Sequence, residues 1–217
     1  MTKRAYEVQV SDGHYTKSSY LSQARWSTYS VIIKNALVLR PERVLEIGPG
    51  PGLVTQLLRL LGCSVKTLDL DPKIQPDYLM SATDPDIASR LEKFDLTIAS
   101  EIFEHVEYLD FLAAMRRLSS VSEYFILTLP DTNEKALNFG IRLRLPIFNN
   151  LSQAFKIRFG RQKHIFDGQH YWEIGKTNYT LRQIKKDLCL SGWDIVNDFL
   201  NIDNPYHRCF ILKAKGL

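Results

Sequence analysis

The sequence predicts an α/β fold in which a mostly parallel sheet is covered by helices on both faces and finished by an antiparallel C-terminal hairpin. Three observations lead there. Short β-type runs alternate with helical stretches of about a dozen residues, the length a parallel crossover needs. The runs at 94–100 and 123–129 are strongly apolar, as strands buried on both faces are. Two further β-type runs, 194–200 and 207–214, follow each other through Asn204 and Pro205 with no helix between them.

The elements can be taken in order. In residues 18–39, Tyr20, Leu21, Ala24, Tyr29, Val31, Ile32, Ala36 and Leu37 recur at mixed helical spacing until Pro41 stops the pattern, so residues 1–40 form a leading helical segment. Residues 43–47 form a short strand that ends in a Gly/Pro turn, and 53–61 resume helical spacing up to Gly62. Strands at 64–70 and 78–80 come next, then a helix at 84–91 with Asp84 as its cap. The strand 94–100, an amphipathic helix 108–118 and the strand 123–129 complete the regular alternation. After Pro130 the rhythm breaks, and residues 131–176 read as an insertion or lid inside a single domain of 217 residues. A helix at 181–190 stops at Gly192, before the final hairpin.

Composition narrows the function classes. The first ten residues mix charged and apolar side chains without the apolar core of a secretory signal, and no run of eighteen apolar residues predicts a membrane span. Cys63, Cys189 and Cys209 form no C-x-x-C pair and read as reduced, mostly buried thiols of a cytoplasmic protein. The net charge of +4 is unevenly spread. Lys135, Arg142, Arg144, Lys156, Arg158, Arg161 and Lys163 fall in residues 135–166, which hold no Asp or Glu, and setting these seven against +4 leaves −3 for the rest.

The turn Glu46-Ile47-Gly48-Pro49-Gly50-Pro51-Gly52 carries the chemistry. At the end of a first parallel strand the chain reverses into a helix whose amides face a crevice, and glycine lets backbone approach a ligand there. A dinucleotide fingerprint asks for glycine three positions after Gly50, where Leu53 stands, and Pro49 and Pro51 remove two backbone donors. A ligand with one small anion, such as the methionine carboxylate of S-adenosylmethionine, fits better than a pyrophosphate. Twenty-one residues after Gly48, Asp69 ends the second strand, where a carboxylate can accept both ribose hydroxyls; Asp71 is the competing candidate.

Four stretches resemble successive motifs of the class I S-adenosylmethionine methyltransferases: 44–52, the strand end Leu68-Asp69-Leu70-Asp71, Ser81-Ala82-Thr83-Asp84, and 94–106. The resemblance is strongest to the branch that includes the ubiquinone-biosynthesis O-methyltransferases, and it covers residues 18–130 well and the C-terminal hairpin loosely. It implies a Rossmann-like sheet of seven strands with the last antiparallel. It also implies a site in which Glu46, Gly48 and Gly50 line the methionine end, Asp69 the ribose, Asp84 the adenine amino group, and Ser100 the crevice beside the sulfonium, with Gly52, Leu70 and Glu101 as further cofactor-binding candidates. Relatives of this branch close a leading helix over the cofactor, so Arg25, near Tyr20 and Trp26, is a candidate partner for the methionine carboxylate.

Glu101-Ile102-Phe103-Glu104-His105 leaves the sheet at the edge where ligands of such folds bind. His105 is the candidate general base, with Glu104 and His170 as companions. Glu101, Glu104, His105 and His170 also resemble the Glu-x-x-Glu-His metal set of some O-methyltransferases, including small-RNA 2′-O-methyltransferases. A Mg²⁺ site is the less favoured reading, and pocket lining without metal is the alternative. The expected activity is O-methylation of a small-molecule hydroxyl. RNA 2′-O-methylation and a non-catalytic cofactor-binding module are the alternatives. The basic segment admits a lid for an anionic or lipophilic acceptor, a peripheral membrane contact, RNA backbone contact, or a solvated face. Nucleic acid is the less favoured partner, and the oligomeric state is not specified.

Overall fold

The structure is a computed structural model that describes residues 6–9, 13–132, 136–143, 151–160, 162–166 and 168–216. Helix α1 (Gln23–Leu39) starts where the Ser22 hydroxyl accepts the Arg25 amide, and it is followed by β1 (Arg43–Ile47), α2 (Leu53–Leu60), β2 (Ser64–Asp69) and β3 (Tyr78–Leu79). Helix α3 (Ile87–Arg90), β4 (Phe94–Ser100), α4 (Tyr108–Leu118) and β5 (Ser122–Pro130) continue the alternation. A hairpin of β6 (Ala136–Leu143) and β7 (Leu151–Arg158) precedes α5 (Leu181–Leu190), β8 (Trp193–Asn201) and β9 (Asn204–Ala214).

Seven strands form one sheet in the order β3-β2-β1-β4-β5-β9-β8. Strands β1 to β5 pair in parallel, and β9 runs antiparallel to both β5 and β8. Alternation along each strand sends side chains to two cores. Val44, Leu96, Ile98 and Ile126 pack under α1 and α2 with Ile32 and Leu58. Leu45, Ile47 and Phe125 face the other way, toward Phe111, Met115, Ile184 and the fully buried Trp172 and Trp193. This is the α/β architecture that the alternating runs predicted, with the antiparallel strand where the C-terminal hairpin placed it.

Three local expectations need correction. The leading helix begins at Gln23 rather than at residue 18, because the chain through 17–21 turns before Ser22 caps it. The expected helix 84–91 shrinks to Ile87–Arg90. Asp84 turns its carboxylate back to accept the Asp86 amide across Pro85 at 2.9 Å, a local bond that competes with helix. The cysteines are less buried than expected: Cys209 is buried, and Cys63 and Cys189 are half-buried.

The β6–β7 hairpin is a separate two-stranded sheet, paired from Ala136↔Arg158 to Leu143↔Leu151. It is tied to the main sheet at Asp131, which is fully buried. Lys156 and Arg158 of β7 and Arg208 of β9 all donate to this one carboxylate, Lys156 at 3.3 Å and Arg208 at 2.7 Å. Lys156 also donates to the Pro205 carbonyl at 2.6 Å, and Arg208 reaches Asp198 at 2.7 Å. Gly175 is required beside this cluster: at φ +98° a Cβ would lie 2.5 Å from the Thr132 carbonyl and 2.9 Å from Arg158 Nε.

Three cations sharing one buried carboxylate make Asp131 costly to remove. Asp131→Ala leaves Lys156 buried without its counter-charge and takes from Arg208 one of its two carboxylates, and a loss of about 3–5 kcal/mol is expected in equilibrium urea unfolding.

Candidate active site

A cavity of about 650 Å³ opens at the carboxyl ends of β1, β2 and β4, where loops from adjacent parallel strands diverge. Of the residues singled out in the sequence, Arg25, Glu46, Gly48, Gly50, Asp69, Leu70, Ser100, Glu101, Glu104, His105 and His170 all line it. Gly52 and Asp84 do not. Gly52 supplies the left-handed cap of α2 at φ +74°, and Asp84 lies 3.7 Å from Arg90. Their place along the wall is taken by Met80, Ser81 and Ala82. A wider groove of about 770 Å³ along α1, past Trp26, Leu37, Val38 and Leu57, carries no carboxylate and no glycine turn, so the chemistry belongs to the smaller cavity.

The glycine turn is shaped by its neighbour. Gly48 has φ +67°, and a Cβ there would fall 2.0 Å from Ile102 Cδ1, in the turn after β4. Gly50, at φ +53°, lies under Tyr15, whose ring would be 3.2 Å from an added Cβ. Tyr15, Tyr20 and His14 pack edge to face with centroids 5.2–5.3 Å apart and roof this end of the cavity. The Arg25 guanidinium stacks on Tyr20 at 4.3 Å, and Tyr20 and Tyr29 share a hydrogen bond of 3.0 Å between their hydroxyls.

The carboxylates differ in setting. Asp69 accepts the Asp71 amide at 2.9 Å, which fixes it at the wall, whereas Asp71 accepts the Lys73 amide in a turn outside the cavity lining. Glu46 is buried and accepts the Thr55 hydroxyl; burial pushes its carboxyl up to about 7. Glu101 sits in the left-handed region at φ +54°, a conformation that a non-glycine residue holds at a cost of about 1–2 kcal/mol. Its Oε2 lies 3.3 Å from His207 Nε2, and His207 Nδ1 lies 2.9 Å from the Thr28 hydroxyl. Burial pushes Glu101 up to about 8 against the pull of Arg25. Burial, with the Arg25 charge, pushes His207 down to about 4.

Glu104 is wholly buried, and neither of its oxygens has a hydrogen-bond partner among the described residues. Burial, reinforced by the Glu101 charge, raises its carboxyl well above the ordinary range. Beside it, His105 and His170 meet edge to face at 5.0 Å. His105 Nδ1 lies 3.2 Å from the Gln169 carbonyl and His170 Nδ1 2.8 Å from Glu173. Potential ligand atoms of Glu104, His105 and His170 all lie within 4.8 Å of one another; Glu101 is outside that group. Trp172 holds the turn in place by donating to the Phe103 and Val106 carbonyls, both at 3.1 Å.

Sequence reasoning did not single out His207, Tyr15, His14, Tyr206 or the segment 6–9, all of which line the cavity. One signal for His207 was present. An antiparallel last strand begins where β5 ends, so its first residues sit at the ligand-binding edge, and His207 pairs with Pro130.

A sequence profile of the family described as a methyltransferase domain matches residues 25–184, nearly three quarters of the chain. The chain belongs to this methyltransferase family. No curated protein matches it in sequence. Solved structures share the fold of this methyltransferase domain at low identity. A 1,6-didemethyltoxoflavin-N1-methyltransferase from Burkholderia thailandensis, solved with its acceptor and S-adenosylhomocysteine, superposes with a TM-score of 0.60 at 13% identity, over 93% of this chain and 83% of that one. An S-adenosylmethionine-dependent methyltransferase from Clostridium acetobutylicum gives 0.56 at 12% identity, over 93% and 96%. Magnesium protoporphyrin IX methyltransferase from Synechocystis, with S-adenosylmethionine bound, gives 0.56 at 14% identity, over 88% and 80%.

Two predictions follow from this geometry. Gly48→Ala must leave the left-handed region or displace Ile102, and calorimetry is expected to show S-adenosylhomocysteine binding weakened by about tenfold or more. For Glu46, the folded chain holds a proton that the unfolded chain, near 4.5, has released. Its stability contribution is therefore full below about 4.5 and is lost as pH rises to about 7. The melting temperature of Glu46→Gln should fall less than that of the wild type across that window.

Proposed function

We propose that this chain transfers a methyl group from S-adenosylmethionine to a hydroxyl of a small-molecule acceptor. The observation that carries the reading is one cavity lined by the glycine turn and Glu46 of β1, Asp69 of β2 and Ser100 of β4, and extending to His105, His170, Tyr206 and His207. The residues fit the cofactor on their own chemistry. Gly48 and Gly50 bring bare backbone to the cavity, Asp69 is a fixed acceptor suited to vicinal hydroxyls, and Arg25 offers a cation for a carboxylate. S-adenosylmethionine, when bound, supplies a methyl already activated on sulfur. The protein's remaining tasks are alignment and, for a hydroxyl, acceptance of one proton.

His105 is assigned that proton. With Nδ1 directed at the Gln169 carbonyl, the ring presents Nε2 toward Glu104, 3.8 Å away. Glu104 and His170 position the imidazole. The likeness of the motifs to the ubiquinone-biosynthesis branch supports oxygen as the atom methylated. Residues 131–176 are assigned as an insertion bordering the acceptor end through Gln169 and His170.

The partnerless Glu104 carboxyl beside two imidazoles favours a second reading, in which these three groups hold a divalent cation that polarises the acceptor hydroxyl. One carboxylate and two imidazoles suit a first-row transition metal better than Mg²⁺.

His105→Ala is expected to keep S-adenosylhomocysteine affinity within about threefold while methyl transfer falls by about 10²-fold or more. Absence of binding heat from either the methyl donor or its demethylated product, in a folded sample, overturns the cofactor assignment. Calorimetry with Mn²⁺ and Zn²⁺ separates the two readings: the wild type binds and Glu104→Gln does not only if the metal reading holds.

A further inference from the structure

The β6–β7 hairpin presents its apolar side to solvent. Leu137, Phe139, Ile141 and Leu143 of β6 and Phe155 and Ile157 of β7 are each 41–54% exposed. The register places them on one face, Leu137 opposite Ile157 and Phe139 opposite Phe155, whose rings stack at 5.2 Å. The intervening positions of β7 turn inward, where Ala154 is buried and Lys156 and Arg158 are held at Asp131. A hairpin packed on a domain ordinarily buries its apolar side and hydrates the polar one; along Ala154–Arg158 of β7 the arrangement is reversed, while β6 exposes Asn138 and Arg142 together with its apolar residues. The apolar surface continues into the following strap, where Phe159, Ile165 and Phe166 are 58%, 82% and 51% exposed.

Charge indicates what covers this face. Residues 135–166 hold seven cationic side chains and no acidic one. Lys156 and Arg158 are engaged at Asp131, and Arg142 pairs with Asp203. Lys163 is exposed, and Lys135, Arg144 and Arg161 belong to the same segment but lie outside the described residues. We propose that the outward face of the β6–β7 hairpin, with the strap through Phe166, docks on the surface of an anionic lipid bilayer. The apolar side chains enter the headgroup boundary and the exposed Lys163 meets the lipid phosphates. A second copy of the chain is the poorer occupant, since a two-fold contact sets this acid-free, cationic segment against itself. Among the described residues no helix is long and apolar enough to cross a membrane, so the contact is with one leaflet.

The docking face is continuous with the cavity rim. Phe166 packs on Tyr171 at 4.6 Å, and Gln169 and His170, between them, form part of the cavity wall. Bilayer contact therefore brings the acceptor end of the cavity to the lipid surface. The inference does not depend on which atom is methylated.

Vesicle flotation tests it with the full chain. Vesicles of phosphatidylcholine alone are compared with vesicles containing about 30 mol% phosphatidylglycerol, at low salt and at about 0.5 M NaCl. The wild type is expected to float with the anionic vesicles at low salt, and far less with neutral vesicles or at high salt. Phe139→Ser combined with Phe155→Ser should reduce the bound fraction at least tenfold while melting temperature and S-adenosylhomocysteine affinity stay unchanged. Lys163→Glu provides a second variant whose exposed position leaves folding intact, and it should weaken flotation with anionic vesicles alone. No flotation with either vesicle overturns the proposal, as does equal flotation of the wild type and both variants. Concentration-dependent dimerisation that the double serine variant removes, without vesicle binding, assigns the face to a second copy and overturns it as well.

Discussion

Ile102 fills the space that a side chain at position 48 would occupy, and the cavity depends on that contact. Because residue 48 is glycine, the turn after β1 and the turn after β4 close on each other at the carboxyl edge of the sheet. The second turn then carries Glu101 into its left-handed conformation and aims Glu104 and His105 at the cavity. The Trp172 indole, by binding two carbonyls of that turn, fixes it from the opposite side. A bulky aliphatic residue and a missing Cβ thus join two strands' worth of chemistry that the sequence separates by about fifty positions.

Around that joint the protein collects carboxyl groups with little water and few partners. Glu46, Glu101 and Glu104 are all raised, each first by burial, while His207 is lowered by the same cause. Groups displaced in this direction are neutral over much of the physiological range, so the cavity holds less net charge than its residue list suggests. Groups held in this way can take up or release protons when a charged ligand enters beside them. The Thr128 hydroxyl, and after it Arg25 of α1, keep Glu101 from rising further.

Much of this was legible in the chain. Periodicity placed 94–100, 108–118 and 181–190 with the bounds observed, because each lies between clear turn signals and packs on the main cores. The glycine turn and Asp69 could be read since their spacing is set by one β-α-β unit. Asp84 escaped because its local bond to the Asp86 amide shortened the helix and left the wall to Met80, Ser81 and Ala82. His207 and Tyr15 reach the cavity through contacts distant in sequence, which no local pattern reports. The β6–β7 hairpin was hidden for another reason: its strand alternation was present, but β7 turns Lys156 and Arg158 inward to Asp131 and leaves Phe155 and Ile157 outside, so the usual inference from apolar side to core pointed the wrong way.

Residues 6–9 form part of the cavity wall, and Tyr6 fastens them through its phenol. The Tyr6 hydroxyl donates to Asp110 and accepts the Glu107 amide at 3.1 Å, both near the start of α4, while its ring meets Tyr171 edge-on. Gln9 adds a bond to the His105 carbonyl at 3.5 Å. The segment is thus latched to the helix that follows the turn bearing His105, so a single phenol couples the order of residues 6–9 to that of the cavity wall.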